Sequence, residues 1–224
     1  MALIFDRYFR ERVTLVKVYV GPDRENCWIL PEDFLCERLD FFRAAFKSNF
    51  KEGREKIMYL EEDSPAAFAL LVDWLSVFDE ILPCTTCQIG PSHKLDDCPD
   101  QLKWSQLYEL ADKVGAEIVQ RGALYVHRKC AEWEDTVKTQ TQGAIDFAYQ
   151  RGHKALQENL VENALRYFFT KTKLTMEDWT VIVGYHPLFH VEVMIAIERH
   201  VTSEELRGKR MCDIFLCKVH EPNA

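Results

Sequence analysis

The sequence contains no long hydrophobic run. Its longest uninterrupted apolar stretch covers residues 66–72, whereas a membrane-spanning helix needs about 20 apolar residues. Residues 1–12 mix short apolar pairs with charged side chains and lack the apolar core of a signal peptide. We therefore expect no membrane partner and an intracellular location, in the cytoplasm or the nucleus.

Glycine and proline are scarce, and positive charge is not in excess. The chain has 9 Gly and 8 Pro, with 47% hydrophobic and 29% charged residues, a balance typical of a packed globular protein. Lys and Arg number 28 against 36 Asp and Glu, so the formal net charge is −8. An acidic chain offers no general phosphate-binding surface, which argues against nucleic acid as a partner.

The eight cysteines do not indicate a disulfide framework. The sequence has neither a signal peptide nor an Asn-x-Ser/Thr sequon, so reduced thiols are expected. Most of these cysteines should be small core residues.

Residue patterns predict an α+β first half. Alternating valines up to residue 20 and the apolar run at residues 27–30 predict a hairpin, because Gly21 and Pro22 mark a turn between them. Two short helices fit residues 31–48, a polar link fits residues 51–56, and a strand fits residues 57–60. Ser64 and Pro65 predict the N-cap and first residue of the next helix.

The second half is predicted to be mostly helical. Residues 80–101 lack periodicity and read as an insertion, after which apolar spacing predicts two helices separated near Gly115. Residues 136–143 are polar and form the best candidate linker. Within residues 144–224, helical spacing recurs from Leu160 to Phe169, and again on a helix that begins at Pro187 and carries Leu188, Val191, Met194 and Ile195.

Several ordered blocks resemble the BTB/POZ domain, particularly the style found in fungal proteins. They are residues 16–21 (VKVYVG), 29–36 (ILPEDFLC), 41–46 (FFRAAF), 50–53 (FKEG) and 107–113 (LYELADK). The resemblance implies a BTB/POZ fold, a small sheet with a cluster of helices, over residues 13–130. A leader at residues 1–12 precedes it, the Cys-rich insertion at 80–101 interrupts it, and an all-helical region at 144–224 follows it.

This resemblance implies a dimerising protein-interaction module without catalytic activity, often an adaptor on a cullin-type ubiquitin ligase. The expected partners are a second copy or another BTB protein, and a cullin scaffold. An apolar leader fits the dimer interface, because a monomer would expose it; its residues are Leu3, Ile4, Phe5, Tyr8 and Phe9. The family usually has Ser-Asp before the first strand, where this chain has Arg12, Val13 and Thr14, and a His-Lys pair where this chain has Leu30, Pro31 and Glu32. These departures affect the charged pocket of BTB repressors, so a repressor role is not carried over.

Phe50 and Glu52 fall where cullin-binding members carry a hydrophobic-x-Glu motif. An exposed aromatic ring could fill a groove on a partner, and the carboxylate could pair with a basic neighbour. The alternative is that Phe50 anchors the core and Glu52 is a solvated charge.

A Cys/His cluster in the insertion has a spacing close to that of zinc ligands: Cys84, Cys87, His93 and Cys98. A Cys-x2-Cys turn presents two thiolates to one ion, and the later His and Cys could complete a tetrahedron. A loop with incidental cysteines stays open as the alternative.

A functional alternative from another class is a zinc-stabilised or thiol-based enzyme, with Cys87 or Cys98 as nucleophile and His93 as base. Since the sequence shows neither a Gly-rich phosphate loop nor a Gly-x-Ser-x-Gly motif, we expect no enzyme.

Overall fold

The first described segment contains a three-stranded mixed sheet. The computed structural model describes residues 13–77, 101–130, 141–170 and 186–202. Strands β1 (Leu15–Val20), β2 (Asn26–Pro31) and β3 (Ile57–Leu60) lie in the order β2-β1-β3. β1 is antiparallel to β2 and parallel to β3. The predicted hairpin and third strand are confirmed.

Alternation of side chains along β1 separates a buried face from an exposed one. Val16, Val18 and Val20 are fully buried, whereas Leu15 and Lys17 are exposed. Successive strand residues point to opposite faces, so β-branched residues at every second position supply one continuous apolar surface. This surface is the sheet's contribution to the core.

Six helices are described between β2 and residue 130. They are α1 (Glu32–Cys36), α2 (Asp40–Phe46), α3 (Lys51–Glu55), α4 (Pro65–Val77), α5 (Gln101–Lys113) and α6 (Glu117–Cys130). The prediction of a polar link at residues 51–56 was wrong, because α3 occupies most of it. With the sequence KEGRE, α3 has no apolar residue and therefore no periodic signal.

Aromatic side chains dominate the core that these helices build. Phe34, Phe42, Phe46 and Phe68 are each at most 1% exposed. The Trp28 ring meets Phe68 edge to face, with ring centroids 5.0 Å apart. Edge-to-face packing adds to the hydrophobic gain from burying rings of this size.

The ends of α4 and α5 follow the predicted signals. The main-chain N–H of Ala67 donates to Ser64 Oγ at 3.4 Å, so Ser64 caps α4 as expected. α5 ends before Gly115, whose φ of +73° is a left-handed conformation that glycine adopts without steric cost.

The chain divides into two compact units, Met1–His127 and Arg128–Ala224. The described elements of the second unit beyond α6 are α7 (Thr141–Arg151), α8 (Lys154–Thr170) and α9 (Pro187–Thr202). α7 begins at Thr141, so residues 141–143 of the predicted linker are helical; residues 136–140 lie outside the described part. The described fold is thus α+β, with helices in both units.

α9 buries a different face from the one that its apolar spacing suggests. Phe189 and Val193 are each 1% exposed and pack toward α7 and α8. The four residues singled out from the spacing all lie exposed: Leu188, Val191, Met194 and Ile195. Since α9 is apolar on more than one side, periodicity alone could not select the buried one.

Candidate partner-binding site

Phe50 lies on a turn that connects α2 to α3. It is the N-cap residue of α3, and 72% of its surface is exposed. α2 ends at Phe46, so the chain leaves the helical path before it reaches Phe50. The core-anchor interpretation of Phe50 is therefore wrong, and the ring is presented to solvent.

Short-range hydrogen bonds organise this turn. Ser48 Oγ donates to the carbonyl of Ala45 at 2.8 Å and accepts the main-chain N–H of Phe50 at 3.2 Å. The N–H of Arg54 in turn donates to the carbonyl of Phe50 at 3.1 Å. Ser48 thus ties the end of α2 to the residue that presents the aromatic ring.

Gly53 is required by the tightness of the same turn. A Cβ atom at this position would lie 2.0 Å from the main-chain oxygen of Ser48. No real side chain tolerates that distance, so any other residue here would have to displace backbone. The glycine in the FKEG block therefore has a steric role in closing the turn beneath Phe50.

The charges around Phe50 differ in their pairing. Lys51 Nζ lies 3.9 Å from Glu55 Oε2 in a loose, exposed ion pair. Glu52, the acidic member of the predicted motif, is half-buried on the first turn of α3. Arg54 is exposed and forms no ion pair with any residue that the structure describes. The surface thus combines an exposed ring with a carboxylate and a guanidinium.

Lys47, which precedes the turn, is bound by two carboxylates of α1. Its Nζ lies 2.9 Å from Asp33 Oδ1 and 3.1 Å from Glu32 Oε1. The hydrogen bond to Asp33, followed by that to Glu32, raises the pKa of Lys47 despite partial burial. Lys47 therefore stays charged throughout the physiological range.

Other predicted site residues lie outside the described part of the chain. This holds for the leader residues assigned to a dimer interface (Leu3, Ile4, Phe5, Tyr8, Phe9) and for the candidate zinc ligands (Cys84, Cys87, His93, Cys98). Within the described ranges, no group of three or more His, Cys, Asp or Glu side chains could hold a metal ion. No helix in those ranges is long and apolar enough to cross a membrane.

Sequence reasoning missed an open groove of about 500 Å³ in the first unit. It lies between the α1–α2 connection and the start of α6, and Arg38, Leu75 and Ile118 are among its lining residues. The Arg38 guanidinium stacks over the Phe34 ring and donates to the carbonyls of Phe34 and Leu75. Ile118 on α6 is 39% exposed at this groove. Residues from three separate segments form the groove, so no local pattern could have predicted it.

No protein-family model matches the chain, and no curated protein matches it significantly.

Proposed function

We propose that this chain is a protein-interaction adaptor built on a BTB/POZ-type domain that dimerises and docks a cullin scaffold through the Phe50 turn. In this proposal, the Phe50 ring fills an apolar groove on the partner, and Glu52 pairs with a basic side chain beside that groove. The chain itself contributes binding and no catalytic step.

The exposure of Phe50 is the observation that carries the proposal. A phenylalanine with 72% of its surface in water gains little from folding, since about 25 cal/mol is recovered only for each Å² of apolar area that is buried. The same ring in the centre of an interface would be buried by the partner, as anchor residues are. A side chain in this position is therefore better suited to binding than to stability.

The order of elements is compatible with the resemblance that suggested the family. The VKVYVG block includes most of β1, the FFRAAF block lies in α2, and the LYELADK block ends α5. These blocks therefore lie on regular elements of a single compact unit, as a domain would require.

A double substitution tests the docking role. Phe50→Ala with Glu52→Ala should abolish retention of the chain by immobilised cullin amino-terminal domains in a pull-down. Helix content measured by circular dichroism should not change, because neither side chain belongs to the buried core.

Ile29→Ala is the matched control, since Ile29 is 58% exposed but lies on β2 rather than on the turn. It should retain binding. Undiminished binding by the double variant, or its unfolding, would reject the docking role of Phe50.

A further inference from the structure

One buried carboxylate binds both ends of the segment that presents Phe50. Lys47 precedes the turn and Lys56 follows α3, and their ammonium groups meet at Glu32. Lys47 Nζ is 3.1 Å from Glu32 Oε1, and Lys56 Nζ is 3.0 Å from Glu32 Oε2. The Glu32 side chain is only 4% exposed, so each of its oxygens is committed to one ammonium group away from bulk water.

Main-chain hydrogen bonds attach this cluster to β1, the central strand of the sheet, and to the residue that precedes it. The N–H of Glu32 donates to the carbonyl of Thr14 at 2.8 Å, and the N–H of Lys17 donates to the carbonyl of Lys56 at 2.9 Å. Lys56 Nζ also donates to the carbonyl of Phe46 at 2.8 Å, at the end of α2. The Glu32 carboxylate is therefore anchored next to the sheet. Both ends of the segment of residues 47–56 contact this carboxylate.

A buried carboxylate such as that of Glu32 needs positively charged partners. Burying a charge is costly unless it is paired, and charge-assisted hydrogen bonds are stronger than neutral ones. A glutamine at position 32 would place an amide between the two ammonium groups. Its oxygen could accept a hydrogen bond from one of them, but its NH2 group would face the other, which is also a donor. The ends of the segment would then lose a shared anchor.

We infer that Glu32 is a positioning residue, whose buried carboxylate holds Lys47 and Lys56 together and thereby orders the turn that presents Phe50. Because the turn is already ordered in the free protein, it loses less conformational entropy when a partner binds, and association is more favourable. The consequence for binding rests on the proposed function, whereas the ordering of the turn does not.

Hydrogen exchange followed by mass spectrometry tests the ordering on the whole chain. In Glu32→Gln, amides of residues 48–54 should exchange about tenfold faster than in the unchanged protein, because the turn opens locally more often. Exchange in β1 and α4 should stay the same. Glu55→Gln is the matched control, since it makes the same chemical change at an exposed position whose pairing with Lys51 is loose.

Lys47→Gln provides a second route if Glu32→Gln does not fold. The Lys47 side chain is half exposed, so its loss removes one anchor of the turn without opening the core. Exchange at residues 48–54 should again accelerate selectively. A folded variant with unchanged exchange in this range, or with equal acceleration in β1 and α4, would overturn the positioning role.

Binding to purified cullin amino-terminal domains separates this inference from the proposed function. If the chain binds through Phe50, Glu32→Gln should dissociate about tenfold faster than Glu55→Gln. Unchanged dissociation despite faster exchange would contradict the contribution of turn ordering to binding, although Glu32 would still order the turn. If the unchanged protein does not bind these domains at all, the proposed function fails, and the exchange measurement still decides whether Glu32 orders the turn.

Discussion

At the residue scale, three phenylalanines four positions apart have different environments. Phe42 and Phe46 are buried on α2, whereas Phe50 is exposed on the turn that follows. A repeat of four residues predicts one helical face only while the helix continues. α2 ends at Phe46, where Lys47 is the C-cap residue, and the repeat has no structural meaning beyond that point.

His127 is a buried histidine on α6, and it should make stability depend on pH. Burial lowers its pKa to about 4, so the folded protein keeps the ring neutral at pH values where the unfolded chain, with a pKa of about 6.5, binds a proton. The unfolded state therefore gains protons first as pH falls from about 6.5 to 4, and the free energy of unfolding decreases over that window. We expect a loss of about 2 kcal/mol between pH 7.5 and 5 from this group, measured by urea unfolding.

His127→Gln isolates this contribution from the other groups that titrate. The variant should have a lower stability at pH 7.5, because the packing of a fully buried ring is lost. Its stability should fall less steeply on acidification than that of the unchanged protein. Parallel slopes for the two proteins would show that His127 does not account for the pH dependence.

At the element scale, the Cys/His insertion remains a sequence prediction. We expect one zinc ion per chain, bound by Cys84, Cys87, His93 and Cys98, with affinity that falls on acidification because thiolates and neutral imidazole bind the metal. Elemental analysis of protein purified without chelator should find about one equivalent, and Cys84→Ser with Cys87→Ser should lose it. Chelation should accelerate hydrogen exchange at residues 80–101 without lowering the melting temperature of the core.

Cys27→Ser is the control for that experiment, since Cys27 is an exposed free thiol on β2. It should keep its zinc. A metal-free preparation, or zinc that survives the double substitution, would identify residues 84–98 as an insertion with incidental cysteines.

At the scale of the whole molecule, we expect a dimer. The family resemblance implies an apolar interface, and the leader offers one through Leu3, Ile4, Phe5, Tyr8 and Phe9. Light scattering after size exclusion should give twice the chain mass of 26.3 kDa at micromolar concentration. Ile4→Glu with Phe9→Glu should halve the measured mass, while Ile29→Glu on β2 should not. A mass of one chain for the unchanged protein would reject the dimer.

Periodicity and capping signals determine much of the described fold. The valine alternation of β1, the Ser64 cap and the Gly115 stop are each local, since the residue and the conformation that it favours lie within a few positions of each other. Local sequence signals do not predict α3, because this helix has no apolar stripe and depends on its tertiary surroundings for stability.

The candidate site also has features that the sequence predicts and features that depend on tertiary contacts. From the sequence, the resemblance to the BTB/POZ family predicted a docking motif at Phe50 and Glu52 and a chain that binds proteins, and the acidic composition argued against nucleic acid. Only the tertiary structure decided that Phe50 is exposed, that Gly53 lies too close to Ser48 for any side chain, and that Glu32 joins Lys47 to Lys56. The reason is physical: a single sequence shows which residues are near one another along the chain, but burial and ion pairing depend on residues that the fold brings together.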